Sequence, residues 1–358
     1  MTTITPAHVR AFRLARHGLE TPAPAGSMVE TARALCGVHA QLASSAEIAL
    51  STRVADVDRA SVRDALEART LVKTWTARYT LHVIPATDIP VYAAVLRDSW
   101  VPTDPWLHGA GISREQWDAL LDAVPGLLDG GPKTREELAD RVEAIAGAEV
   151  RGWVMSSWGG MLKLSAHRGE LCFGPKRGQK VTFVRADEWV GKLPTISRDD
   201  AERDLARRFL AGYGPSRQRG VASWIGAGQK MTKAKRLLAA VADETIEVDV
   251  DGKAATILSA DEAALRGAEP STTVRLLPAF DPYVVGFQPR RYLVDPEFQA
   301  RVFRPQGWIS AVVLVGGLVV GTWKPDRGRV EIDFFRRDGR PSRTQLDPEV
   351  DRIRSLLA

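Results

Sequence analysis

His39 and Gln41 flank one apolar residue, Ala40, and their types and spacing are compatible with holding a water for hydrolysis. An imidazole with an ordinary pKa of about 6.5 accepts a proton or a hydrogen bond near neutrality. A primary amide does not titrate, but its N–H and C=O groups orient a water. On an extended or turn backbone the two side chains point the same way while Ala40 faces the core, whereas on a helix they would diverge by about 200°. The alternative is structural: His39 caps a helix or bonds the backbone, and Gln41 is a solvated or core-edge amide.

Other hydrolytic and phosphate motifs are missing. There is no Walker loop, no G-x-S-x-G elbow and no H-E-x-x-H. Gly226-Ala-Gly-Gln-Lys230 imitates a phosphate loop, but it lacks the third glycine and follows a helix, so it reads as a turn between helices. His8, His17, His39, His82, His108 and His167 show no paired ligand spacing, and neither a metal nor an organic cofactor is expected. Asp281, before Pro282, reads as a turn cap that could support a site from behind.

Groups suited to nucleic acid are spread along the chain. Residues 288–304 carry Arg290, Arg291, Arg301 and Arg304 with Tyr292, Phe298 and Phe303 between them, the composition of a loop or hairpin pressed on a phosphate backbone or of a solvated loop with tucked aromatics. Arg217 and Arg219 precede, and Lys230, Lys233, Lys235 and Arg236 flank, a recognition-type helix, where phosphate contact and a solvated face are both open. Trp75, Arg78, Tyr79 and His82 lie on a predicted hairpin and could stack on a bulky adduct or pack the hairpin itself.

Helix and hairpin grammar positions these groups. Thr5-Pro6 caps a first helix, others follow near Val29–Leu35 and Val57–Ala68, and the alternation of Val72, Thr74 and Thr76 against Leu81 and Val83 gives a hairpin turning near Ala77-Arg78. Thr134 and Glu137 form a capping box in a second set of helices that ends in the strands ELCFG and KVTFVR. A third set ends in TIEVDVDGKAATILS, where Asp251-Gly252 suits a type I′ turn. Three helices followed by a hairpin is winged-helix grammar. From about Ser271 strand-like segments dominate, with Gly316-Gly317 as their clearest turn. The expected fold class is α+β, with three tandem winged helix-turn-helix units at 1–105, 106–195 and 196–270 and a β-rich, partly barrel-like domain at 271–358.

Composition agrees with a packed protein. Of 358 residues 44% are hydrophobic and 26% charged, and 49 Lys+Arg against 44 Asp+Glu leave a formal charge of +5, a weak lean toward polyanions. Collagenous, disordered and disulfide-dense classes are excluded. No apolar run reaches the roughly 20 residues that span a bilayer, and the first residues form no leader, so a cytoplasmic location without membrane association is expected. Cys36 and Cys172 sit in apolar surroundings and are expected as buried free thiols.

The segment GVHAQLASSAEIALSTRV (37–54) also resembles the AlkZ/YcaQ-type winged-helix DNA glycosylases, the crosslink-repair glycosylases. These carry Gln-apolar-Gln or Gln-apolar-Asp here, and a branch associated with self-resistance to DNA-alkylating antibiotics has His-apolar-Gln, matched by His39, Ala40 and Gln41. The resemblance extends over nearly the whole chain, through TWTARYTLHVIPATD (74–88), HRGELCFGP (167–175), YGPSRQRGVASWIG (213–226), LLPAFDPYVVGFQPRR (276–291) and GLVVGTWK (317–324). It implies a monofunctional, monomeric glycosylase acting on double-stranded DNA that carries bulky N7-alkylguanine, with N3-alkylpurines as a second candidate substrate. N7 alkylation makes the base a cation with a weakened glycosidic bond, so a modest water-holding pair suffices. The rival reading is a non-catalytic winged-helix regulator or drug-sequestering protein, which the same fold and charge would serve.

Overall fold

The computed structural model of the chain describes residues 4–99, 101–109, 111–155, 160–226 and 230–358, and the following concerns those residues. Two compact units result, one built from residues 1–64, 203–225 and 230–358, the other from 65–202 and 226–229. The first unit therefore joins the N-terminal helices to the C-terminal sheet, a division that cuts across the four consecutive segments expected from the sequence.

In the first unit, Thr5 caps the helix Pro6–Arg16 in a reciprocal capping box with His8. Its buried face, Val9, Phe12 and Leu14, shares a core with Val248, Ile257, Tyr283, Phe287, Leu293, Val312 and Leu314. The hairpin Thr245–Asp249 and Ala254–Leu258 turns at Asp251 and Gly252, both at positive φ (55° and 72°), as a type I′ turn requires.

The C-terminal segments form an antiparallel sheet of four strands, Arg329–Phe334, Leu318–Asp326, Val312–Val315 and Val274–Leu277, in that spatial order. The expected partial barrel is not formed. The sheet stays open, and one face is covered by the helix Arg343–Leu357, whose Leu346, Val350, Ile353 and Leu357 recur at helical spacing against Leu276, Val313 and Trp323. Glu349 of this helix is buried and accepts the Leu276 N–H at 3.0 Å and Arg352 at 2.7 Å, which repays its desolvation. At Gly316-Gly317 the Tyr283 hydroxyl lies within 2.5 Å of where a Cβ on Gly317 (φ 79°) would fall, so only glycine fits that turn.

In the second unit the strands Leu71–Trp75 and Leu81–Pro85 pair antiparallel, Trp75 opposite Leu81. Beyond them the helices Arg114–Leu127, Arg135–Ala146, Ala148–Met155 and Leu162–His167 lead to a small sheet ordered Lys133–Thr134, Thr182–Arg185, Leu171–Phe173. The capping box of Thr134 and Glu137 is present, with the Thr134 N–H donating at 2.7 Å. Cys36 and Cys172 are free, buried thiols. No helix among the described residues is long and apolar enough to cross a membrane.

Candidate active site

The His39 segment is placed by a sharp stop. The helix Met28–Ala34 ends at Leu35, Cys36 (φ 52°) and Gly37 (φ 85°) turn the chain back, and the Gly37 N–H caps the Ala32 carbonyl at 2.9 Å. Val38–His39 is then extended, and after Leu42 the chain enters the helix Ala43–Ser51. Every residue of that helix from Ser45 to Leu50 is buried, and its Ile48 packs against Leu276, Val313, Trp323 and Ile353 of the sheet and C-terminal helix. Glu47 is clasped by Arg59 (2.6 Å) and Arg63 (2.9 Å); burial raises its pKa, but these guanidinium bonds outweigh that and hold it below the ordinary value.

His39 and Gln41 do not share one environment. His39 is 4% exposed and lies flat on Phe280, ring centroids 4.7 Å apart and planes 7° from parallel, whereas Gln41 is exposed and Ala40 buried. The Gln41 backbone N–H approaches His39 Nδ1 at 3.5 Å, at the long end for such a bond.

Phe280 owes its place to a closed circuit of contacts. It has φ 59°, a left-handed conformation that costs a bulky residue on the order of 1–3 kcal/mol and persists only where the surroundings impose it. Its neighbour Asp281 imposes it. Asp281 Oδ1 and Oδ2 accept two bonds from Arg53, at 2.6 and 2.9 Å, with both side chains fully buried, and Oδ1 also accepts the Tyr283 N–H at 2.9 Å. Arg53 in turn donates to the Ala49 carbonyl at 2.9 Å, at the end of the helix that follows Gln41. The motif, its helix, Arg53, Asp281, Phe280 and His39 thus form one ring of contacts. The expected turn-capping role of Asp281 is realised, since it caps Pro282–Gly286. Its buried arginine partner is new.

The basic candidates separate into groups. Arg217 and Arg219 line a cavity of about 90 Å³ with Gln288, Pro289 and Tyr292, so two sets distant in sequence converge. Residues 288–304 form no hairpin. Pro289 and Pro296 precede or start short helical turns at Arg290–Tyr292 and Pro296–Phe298, followed by Gln299–Val302. Arg291 is paired with Asp251 at 3.1 Å, and Arg301 with Asp333. Arg217 donates to the Ala254 carbonyl at 3.1 Å. Arg219, Arg290 and Arg304 are exposed and make no ion pair among the described residues, Arg290 lying 3.8 Å over the Phe303 ring. Lys233 is only 4% exposed, so a buried side chain stands where phosphate contact had been one reading.

The hairpin residues belong to the second unit and are mostly packing. Trp75 is 5% exposed and packs on Phe173 and Phe183. Arg78 and Tyr79 are half-buried at positive φ (57° and 54°), and Tyr79 stacks on His167 at 4.8 Å. His82 Nδ1 meets the Thr76 hydroxyl at 2.8 Å and the Thr80 carbonyl at 3.0 Å. Burial, assisted by the charge of Arg78, lowers the His82 pKa from 6.5 to about 3. The unfolded chain therefore binds a proton at His82 that the folded unit refuses between these values, so stability is full above the unfolded pKa and falls with pH by about 1.4 kcal/mol per unit below it. Thermal melts from pH 7 to 4 should show a weaker pH slope for His82→Asn than for the wild type; equal slopes would remove His82 as the cause. Among the described residues no three His, Cys, Asp or Glu side chains are grouped to hold a metal.

An imidazole held on an aromatic face, with an exposed amide two residues on, fits a hydrolase that holds one water. Comparison with known proteins narrows this to the DNA glycosylases. The family model described as DNA glycosylase AlkZ-like matches residues 32–356. A Streptomyces sahachiroi protein described as an interstrand DNA cross-link repair glycosylase is 35% identical over 328 residues, spanning 88% of this chain and 86% of that protein. The solved structure of Streptomyces sahachiroi DNA glycosylase AlkZ matches with a TM-score of 0.88 at 30% identity, covering 100% of this chain and 98% of that one. The chain belongs to the AlkZ-like DNA glycosylase family.

Sequence reasoning did not single out Arg53 or Phe280. Arg53 carried a readable signal, a lone arginine closing an apolar helix; Phe280 carried none, because only folding brings it against His39.

Proposed function

We propose that this chain is a monofunctional glycosylase that hydrolyses the N-glycosidic bond of bulky N7-alkylguanine in duplex DNA, with N3-alkylpurines as a second substrate class, in base-excision repair of alkylated DNA and in self-resistance to a DNA-alkylating product. The observation that carries the reading is His39 and Gln41 at the family's motif position, with His39 locked on Phe280. In the reaction a bond forms between the water oxygen and the anomeric carbon as the carbon–nitrogen bond to the base breaks. The electron pair leaves with the base and cancels its positive charge, and the water's proton passes to the His39 imidazole and from there to solvent. Gln41, exposed, orients that water, and His39 accepts its proton or a hydrogen bond from it. We read the helices and hairpins as tandem winged-helix units, acting as a monomer, that present Arg219, Arg290 and Arg304 to phosphates.

The test is a single-turnover assay on duplex DNA with one defined N7-alkylguanine, scored as alkali-sensitive abasic sites. Base release supports the reading; lesion binding without release identifies a non-catalytic binder and overturns it. In titrations of binding against salt, Arg290→Ala and Arg304→Ala should each lower affinity regardless of sequence and reduce the slope of log K against log salt by about 1. An unchanged slope would take that arginine off the DNA.

A further inference from the structure

Trp308 is a large aromatic side chain left 40% exposed close to the motif, where Leu42, beside Gln41, is 36% exposed. Its ring meets Phe280 edge to face at 5.0 Å, and Phe280 is the ring on which His39 lies. His39, Phe280 and Trp308 therefore form a short ladder of rings from a buried imidazole to solvent.

The loop that carries Trp308 is stiff. The Arg304 N–H donates to the Trp308 carbonyl at 2.8 Å, the Trp308 N–H to the Pro305 carbonyl at 3.3 Å, and Phe303 bridges Ile309, so residues 304–308 close on themselves. Gln306 and Gly307, both at positive φ (58° and 77°), make the reversal. Arg304, exposed at the start of this loop, adds a positive charge to it. An exposed tryptophan on a fixed loop needs a reason, because leaving a large apolar ring in water forgoes the free energy of its burial. Stacking on a flat aromatic group recovers it, and does so at little entropic cost when the ring is already held.

We propose that Trp308 is a specificity-determining residue that stacks on the flat, fused-ring part of an adduct attached to the purine, a role that rests on the glycosylase reading above. Phe280 couples the two ends: it holds His39 on its face and Trp308 at its edge, so docking an aromatic adduct on the indole brings the adducted nucleotide toward the motif.

The experiment compares duplexes carrying one N7-guanine adduct of a polycyclic aromatic epoxide with duplexes carrying N7-methylguanine, by single-turnover excision and by equilibrium binding. Trp308→Ala should reduce the polycyclic-to-methyl ratio of excision rates roughly 5- to 100-fold, the scale of one base–aromatic stack, and Trp308→Phe should restore most of it. A purely structural role would lower both rates alike, so an unchanged ratio overturns the inference. If the wild type excises neither adduct, the glycosylase reading fails, and binding then decides: a preference for the polycyclic duplex that Trp308→Ala removes upholds the stacking role. Equal binding of the two duplexes by the wild type, or a preference that survives Trp308→Ala, overturns it.

Discussion

His39→Ala should slow single-turnover base release about 100- to 1,000-fold while changing DNA affinity little, because proton-transfer and water-positioning groups of this kind typically contribute 10²–10⁴. The affinity should hold because His39 is only 4% exposed and so offers little surface to the DNA. Gln41→Ala should cost less, about 10- to 100-fold, since an amide that only orients water is partly replaced by a second water. His39→Gln is the informative variant. It creates the Gln-apolar-Gln pattern of the resembling family and keeps a donor and an acceptor at the position, so it should retain well more activity than His39→Ala. Rates for His39→Ala within 3-fold of the wild type would mean that the imidazole is merely packed on Phe280.

The largest effect on stability is expected at Arg53 and Asp281. Both side chains are fully buried, and each is the other's counter-charge, so Arg53→Met or Asp281→Asn leaves an uncompensated buried charge or an unsatisfied group at a cost of about 3–5 kcal/mol. Replacing both at once should cost less than the two single changes added together, because the double variant strands no charge. Chemical denaturation of the three variants measures this directly. The same substitutions should also slow base release in molecules that remain folded, since Asp281 holds the left-handed turn at Phe280 and Phe280 holds the His39 ring. Additive single effects, or full activity in folded Asp281→Asn, would separate the ion pair from the site.

Local signals were legible in the sequence where a few adjacent residues settle the matter. The Thr5 and Thr134 caps, the paired strands ending at Trp75 and beginning at Leu81, and the Asp251-Gly252 turn all appear where the residue types put them. Two helices lack an unambiguous local signal, for identifiable reasons. The helix Ala43–Ser51 has no polar face to betray a helical period, because it is buried almost all round. The helix Arg343–Leu357 does have the period and a Ser342–Gln345 capping box, but it follows a run of strands whose apolar residues suggested a sheet closing on itself. At 288–304 the prolines were visible, and they outweighed the strand reading.

For the site, the sequence by itself determined the chemistry on offer: an imidazole and an amide separated by one small residue, in a chain with a family resemblance from end to end. Which side chains support that chemistry was decided only by tertiary structure. Arg53 and Asp281 are 228 positions apart, and neither residue type nor local pattern says that one completes the other. The same holds for His39 on Phe280 and for Trp308 at the edge of that ring. Local signals arise from backbone hydrogen bonds and φ preferences within a few residues, so they are written in short stretches of sequence. Buried charge pairing and ring stacking arise from desolvation and surface contact, which exist only after distant segments have packed.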